Sequence, residues 1–184
     1  LRHNAKMLAD LIARGEDDAA IRLIQSLNYQ IDATSVEHFA ENPMVDSALA
    51  VYVGQAREKN IPIDIKMDTP STFAAEIDFS LLLCNLLENA INAEEHEAED
   101  TRDIRVRART AGDSIFLSVE NRCSTTVHRS GKGLPKREQP SAGHGYGTLS
   151  IEQFTQKYGA ECFTEQKDGY FRILLQLPLR DNQS

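Results

Sequence analysis

Asn85, Asn89 and Asn92 stand at i, i+4 and i+7 in Cys84-Asn85-Leu86-Leu87-Glu88-Asn89-Ala90-Ile91-Asn92-Ala93, so at helical pitch the three carboxamides share one face. Carboxamide oxygens are hard ligands, the kind that hold a hydrated Mg²⁺. Further along, Gly143, Gly145 and Gly147 alternate in Gly143-His144-Gly145-Tyr146-Gly147. Thr148 follows, then an amphipathic run of Leu149, Ile151, Phe154 and Tyr158. Glycines let backbone N–H groups approach phosphate oxygens, and a helix N-terminus adds partial positive charge. Between the two motifs, Asn121 closes the alternating segment Ile115-Phe116-Leu117-Ser118-Val119-Glu120-Asn121 with an uncharged acceptor. Each motif also has a plain reading: exposed amides beside an acidic loop, a turn-forming Asn, a glycine hinge. Their order along the chain favours a metal–phosphate site.

Such residues need elements to hold them. Residues 76 to about 97 read as the helix bearing the amide row, packed through Leu82, Leu83, Leu86, Leu87 and Ile91. Before it, Asn42-Pro43 opens a helix ending near Asn60, and residues 61–67 alternate as a strand. Ile104, Val106 and Ala108 alternate with Arg105, Arg107 and Arg109. Ile115, Leu117 and Val119 repeat the pattern across Ala111-Gly112-Asp113, which predicts a hairpin. Residues 122–142 read as a loop, residues 147–158 as a helix capped by Gly159, and 160–167 and 170–178 as strands around Lys167-Asp168-Gly169. The expected fold class is α+β, helices on one face of a mixed, mostly antiparallel sheet. Residues 1–38 read as a helical hairpin, with Leu8, Leu11, Ile12, Ile21, Ile24, Leu27 and Ile31 as apolar stripes and a turn at Arg14-Gly15-Glu16-Asp17. Two helices so apolar on one face imply a second copy, hence a homodimer through the hairpin.

The chain has 184 residues, 41% hydrophobic and 26% charged, which fits one good-sized core plus an appendage. A net charge of −8 argues against nucleic acid as a partner. Charge is uneven: Arg122, Arg129, Lys132, Lys136 and Arg137 lead into the glycine cluster, while six acids lie between Glu94 and Asp103, read as a solvated loop. Cys84, Cys123 and Cys162 lack metal-ligand spacing and suit a reducing cytosol. No window is apolar enough for a membrane span, and the chain opens on Leu1 without a signal peptide. A fragment is therefore expected, with any membrane contact through an upstream part.

The amide helix followed by the glycine cluster resembles the N box and G2 box of the GHKL (Bergerat) ATP-binding fold, a two-layer sandwich shared by histidine kinases, type II topoisomerases, Hsp90 and MutL. The chain is most similar to the histidine kinases related to peptide-quorum sensors, over about Leu1 to Leu179. Its marks are Leu1-Arg2-His3, Glu41-Asn42-Pro43, Asn85-Leu86-Leu87-Glu88-Asn89-Ala90, Val119-Glu120-Asn121 and Gly143-His144-Gly145-Tyr146-Gly147-Thr148-Leu149-Ser150-Ile151. That branch carries Asn in place of the D-x-G-x-G motif, as at Asn121.

The resemblance implies a cytoplasmic part of a membrane-bound bacterial sensor that binds ATP and Mg²⁺, autophosphorylates a histidine and passes the phosphoryl group to a response regulator, often of LytTR type. Residues 1–38 would be the dimerisation and phosphoacceptor hairpin, and 39–184 the GHKL catalytic domain. Asn89, with Asn85, would hold the metal; Asn121 would face adenine; Gly143, Gly145, Gly147 and Thr148 would meet the phosphates; 122–142 would form the ATP lid. His3, by position alone a terminal surface histidine, would be the phosphoacceptor. Hydrolytic relatives place a water-activating Glu four residues before the metal-binding Asn. Asn85 stands there and cannot act as a base. Asn4 follows His3 where the family usually has an acid, and an amide holds the imidazole without taking its proton. The alternative is thus a module that binds nucleotide without autophosphorylation.

Overall fold

The computed structural model describes Arg14, residues 37–124 and residues 146–179, with backbone alone for 146–149. Two compact units divide the chain, residues 1–37 and 38–184. The expected hairpin lies outside the described residues except at Arg14, Glu37 and His38.

In the second unit the elements are α1 (Pro43–Glu58), β1 (Ile63–Asp68), α2 (Glu76–Glu94), a 3₁₀ turn (Glu99–Thr101), β2 (Ile104–Ala111), β3 (Ser114–Arg122), α3 (Tyr146–Tyr158), β4 (Glu161–Lys167) and β5 (Tyr170–Pro178). The five strands form one sheet in the order β1-β2-β3-β5-β4. β1 runs parallel to β2 and every other pair is antiparallel, so the mixed α+β architecture is as expected.

Period-two burial on β2, β3 and β5 turns Ile104, Val106, Ile115, Leu117, Val119, Ile173, Leu175 and Leu177 to one face. α2 covers β2 and β3, contacts both α1 and α3, and α3 reaches β4. The core centres on α2, where Phe79, Leu83 and Leu87 are wholly buried.

Local chemistry sets the boundaries. Asn42 caps α1, its Oδ1 accepting from Met44 N and Val45 N at 3.0 Å each. Its Nδ2 donates to Ser71 O (2.9 Å) and Glu76 Oε2 (2.8 Å), which ties the start of α1 to the start of α2. Gly159, at φ 62°, ends α3 in the left-handed conformation, and Ala160 N reaches back to Thr155 O at 3.1 Å. Asp168 and Gly169 both have positive φ, as a two-residue turn between β4 and β5 requires. α2 stops at Glu94, three residues short of the expected end, where the chain folds into short-range turns through His96 and Glu97.

Candidate functional site

The amide row lies where helical spacing puts it. Leu82, Leu83, Leu86, Leu87, Ala90 and Ile91 bury one side of α2, while Asn85, Asn89 and Asn92 are half-buried. A groove of about 440 Å³ runs between α2 and α3, lined by Asp78, Leu81 and Asn85 on one wall and Ser150, Gln153 and Lys157 on the other. Asn85 Nδ2 donates to Ser150 Oγ at 2.9 Å, which turns its Oδ1 away from that contact as a free acceptor. Asn89 sits one turn further along α2, and among the described residues its amide has no hydrogen-bond partner.

At the other end of the groove, Asp78 Oδ2 accepts from Tyr158 OH (2.7 Å) and Lys157 Nζ (2.5 Å). The Lys157 hydrogen bond, then that of Tyr158, holds the Asp78 carboxyl below its ordinary pKa.

Asn121 lies on the core-facing side of β3, 7% exposed, in register with Ile104 on β2 and Phe171 on β5. Its Nδ2 donates to Arg122 O at 2.6 Å, which leaves Oδ1 as the free end of the amide. An acceptor at a sheltered strand end is what recognition of an exocyclic amino group requires.

The expected lid is described only at its start. Arg122 belongs to β3 rather than to a loop, Cys123 N donates to Gly169 O (2.9 Å), and Ser124 N donates to Glu97 Oε1 (2.8 Å). His3, lid residues 125–142, Gly143 and Gly145 lie outside the described residues. Gly147 and Thr148 fall in the first turn of α3, which begins at Tyr146 instead of Gly147. First-turn N–H groups lack intrahelical acceptors, and that makes them available to an anion.

Two features were not foreseen. Ser150, the partner that orients Asn85, looks in sequence like any helix-surface serine. Glu94, inside the run expected to be solvated, is completely buried. Its Oε1 accepts from Arg122 N (2.5 Å) and its Oε2 from Asp103 N (3.2 Å). Burial pushes this carboxyl above its ordinary pKa; the two backbone hydrogen bonds oppose the shift, and the Glu97 and Asp103 charges add to it.

Among the described residues no group of three or more His, Cys, Asp or Glu side chains could hold a metal. A divalent cation beside α2 would instead take amide oxygens, with water or phosphate completing its shell, which fits Mg²⁺. Among the described residues no helix is long and apolar enough to cross a membrane.

Solved structures share the fold. The nucleotide-free catalytic domain of histidine kinase ThkA aligns with a TM-score of 0.61 at 18% identity, covering 74% of this chain and 90% of that one. The mycobacterial sensor histidine kinase MprB gives 0.54 at 16% over 74% and 94%. The Acinetobacter baumannii histidine kinase AdeS gives 0.53 at 11% over 98% of each. No protein of curated function matches. Residues 75–178, from the start of α2 to the end of β5, match the GHKL domain family. That span is more than half of the chain and includes the amide helix, the Asn121 strand end and the glycine cluster, and the chain belongs to the GHKL domain family.

Proposed function

We propose that this chain is the ATP-binding and phosphotransfer part of a sensor histidine kinase. The observation that carries the reading is a set of sheltered carboxamides within the family fold: Asn85 and Asn89 half-buried on α2, and Asn121 buried at the end of β3. Asn89 and Asn85 would hold Mg²⁺, which when bound neutralises phosphate charge. Asn121 Oδ1 would accept from the adenine amino group, and the Gly143–Thr148 backbone would meet the phosphates. A nitrogen of His3 would attack the terminal phosphorus of ATP, so that an N–P bond forms and the bond to the ADP oxygen breaks. Residues 1–38 would supply the dimer and this histidine, and a response regulator of LytTR type would receive the phosphoryl group.

The residue types at the water-activating position of α2 support transfer over hydrolysis. Asn85 occupies the water-activating position and is already engaged with Ser150, while Glu88 is exposed to solvent. Asn4 after His3 favours a second reading, nucleotide binding without autophosphorylation.

Incubation with Mg²⁺ and γ-labelled ATP, with calorimetry in parallel, separates the two. Acid-labile label lost in His3→Ala supports the kinase. Mg-dependent binding lost in Asn89→Ala, without label, supports the second reading, and label recovered in Asn4→Asp would assign the silence to the missing acid. No nucleotide binding at all sinks both.

A further inference from the structure

Among the described residues Glu94 is the only charged side chain in the buried set. A buried carboxylate is unfavourable unless its oxygens are satisfied. Here the partners are backbone N–H groups rather than a cation: Arg122 N on Oε1 and Asp103 N on Oε2. These two residues flank the register pair Ile104–Asn121, the last pair of the β2–β3 ladder. One turn on, Glu97 Oε1 accepts from Ser124 N (2.8 Å) and Ser124 Oγ (3.1 Å), while Cys123 N between them is taken by Gly169 O (2.9 Å).

Glu94 at the end of α2 and Glu97 in the turn after it thus grip the strand end on either side of Cys123. The ladder itself does not need this grip, since β2 and β3 are already paired from Ile104–Asn121 to Ala111–Ser114. What the grip adds is a fixed relation between two elements: the helix that carries Asn85 and Asn89, and the strand end that carries Asn121. The Arg122 backbone is held through both its polar groups, its N–H by Glu94 Oε1 and its C=O by Asn121 Nδ2, so the orientation of the Asn121 amide depends on where Glu94 holds that residue.

We infer that Glu94 is a positioning residue of the nucleotide site, holding the Asn121 amide so that its oxygen faces the base at a set distance from the α2 amides. This rests on the proposed reading in which Asn121 meets adenine and the α2 amides meet the Mg-phosphates. Glu94 touches neither; it acts through the backbone of Arg122.

The test uses the full chain and two ligands, MgADP and MgIDP, which differ in the purine 6-amino group that Asn121 would read. Glu94→Gln keeps the side-chain volume but replaces one accepting oxygen with an NH₂ group. It is expected to weaken MgADP binding by about 10-fold, the effect of misplacing one hydrogen bond to a buried partner, and to leave MgIDP within about 2-fold. Equal loss for both ligands means a merely structural role and overturns the inference, as does no loss for either.

Amide hydrogen exchange on the nucleotide-free protein provides the second measurement. Glu94→Gln should speed exchange at Arg122, and Glu97→Ala, at a half-exposed position, at Ser124, with β5 unchanged. Unchanged exchange at Arg122 overturns the inference whatever the ligands do. If the wild-type chain binds neither nucleotide, the proposed function fails, and the exchange result alone then decides whether Glu94 holds the strand end.

Discussion

Replacing Asn42 by Ala should unfold the 38–184 unit at a clearly lower temperature. Asn42 is fully buried and makes four hydrogen bonds. Loss of the cap on α1 costs about 1 kcal/mol. Loss of the Nδ2 bonds to Ser71 O and to the Glu76 carboxylate costs about another 2 kcal/mol, because a charged, part-buried acceptor loses its donor. A total near 3 kcal/mol corresponds to a drop in Tm of roughly 6–12 °C for a unit of this size. Scanning calorimetry or circular dichroism at neutral pH reads the shift. Asn42→Asp isolates one arm: it keeps the cap but points an oxygen at Glu76 Oε2, 2.8 Å from the present Nδ2. That variant should be destabilised at neutral pH and should recover toward pH 4, as one of the two carboxyls takes a proton. A Tm drop below about 2 °C for Asn42→Ala, or wild-type stability for Asn42→Asp at neutral pH, would refute the reasoning.

Ser150→Ala frees the Asn85 amide and should weaken Mg-nucleotide binding by about 2- to 10-fold, the range of one hydrogen bond; unchanged affinity by calorimetry would remove Asn85 from the site. Glu94 has a raised pKa in the folded state, so its linkage to stability favours low pH and is lost as pH rises through the folded value. The Tm of Glu94→Gln relative to wild type should therefore improve between about pH 4 and neutrality, and a constant difference would argue that Glu94 titrates normally. Asp46 behaves in the opposite sense: burial raises its pKa, but hydrogen bonds from Phe39 N, His38 and Ala40 N outweigh this and lower it overall. Its contribution is present above the unfolded carboxyl value and fades as pH falls through the folded one, so Asp46→Ala should lose Tm at neutral pH and little in strong acid.

The parts of the site that could be read from sequence were those governed by one element at a time. The i, i+4, i+7 spacing of Asn85, Asn89 and Asn92 needs only helical pitch, and the burial of Ile104, Val106, Ile115 and Leu117 needs only the two-residue period of a strand. Gly159 and Asp168-Gly169 announce their turns because few other residues tolerate positive φ. What escaped depends on which elements meet. Glu94 belongs to an acidic run, and nothing local distinguishes it from Glu95, which is exposed; burial follows from β2 and β3 bringing the Asp103 and Arg122 amides to the same place. Ser150 matters only because α3 lies against α2. The parallel pairing of β1 with β2, around the intervening α2, is likewise a tertiary outcome.

The nine-pair ladder between β3 and β5, from Ser114–Pro178 to Arg122–Tyr170, has a consequence for how such a domain can diversify. Because that ladder and the packing of α3 on α2 and β4 fix where residues 124 and 146 lie, the connection between them spans two anchored points. A one-residue slip in β3 would turn Asn121 away from the core and move every apolar side chain of the strand with it. Descendants of this sequence should therefore accept substitutions in β3 far more readily than insertions or deletions there.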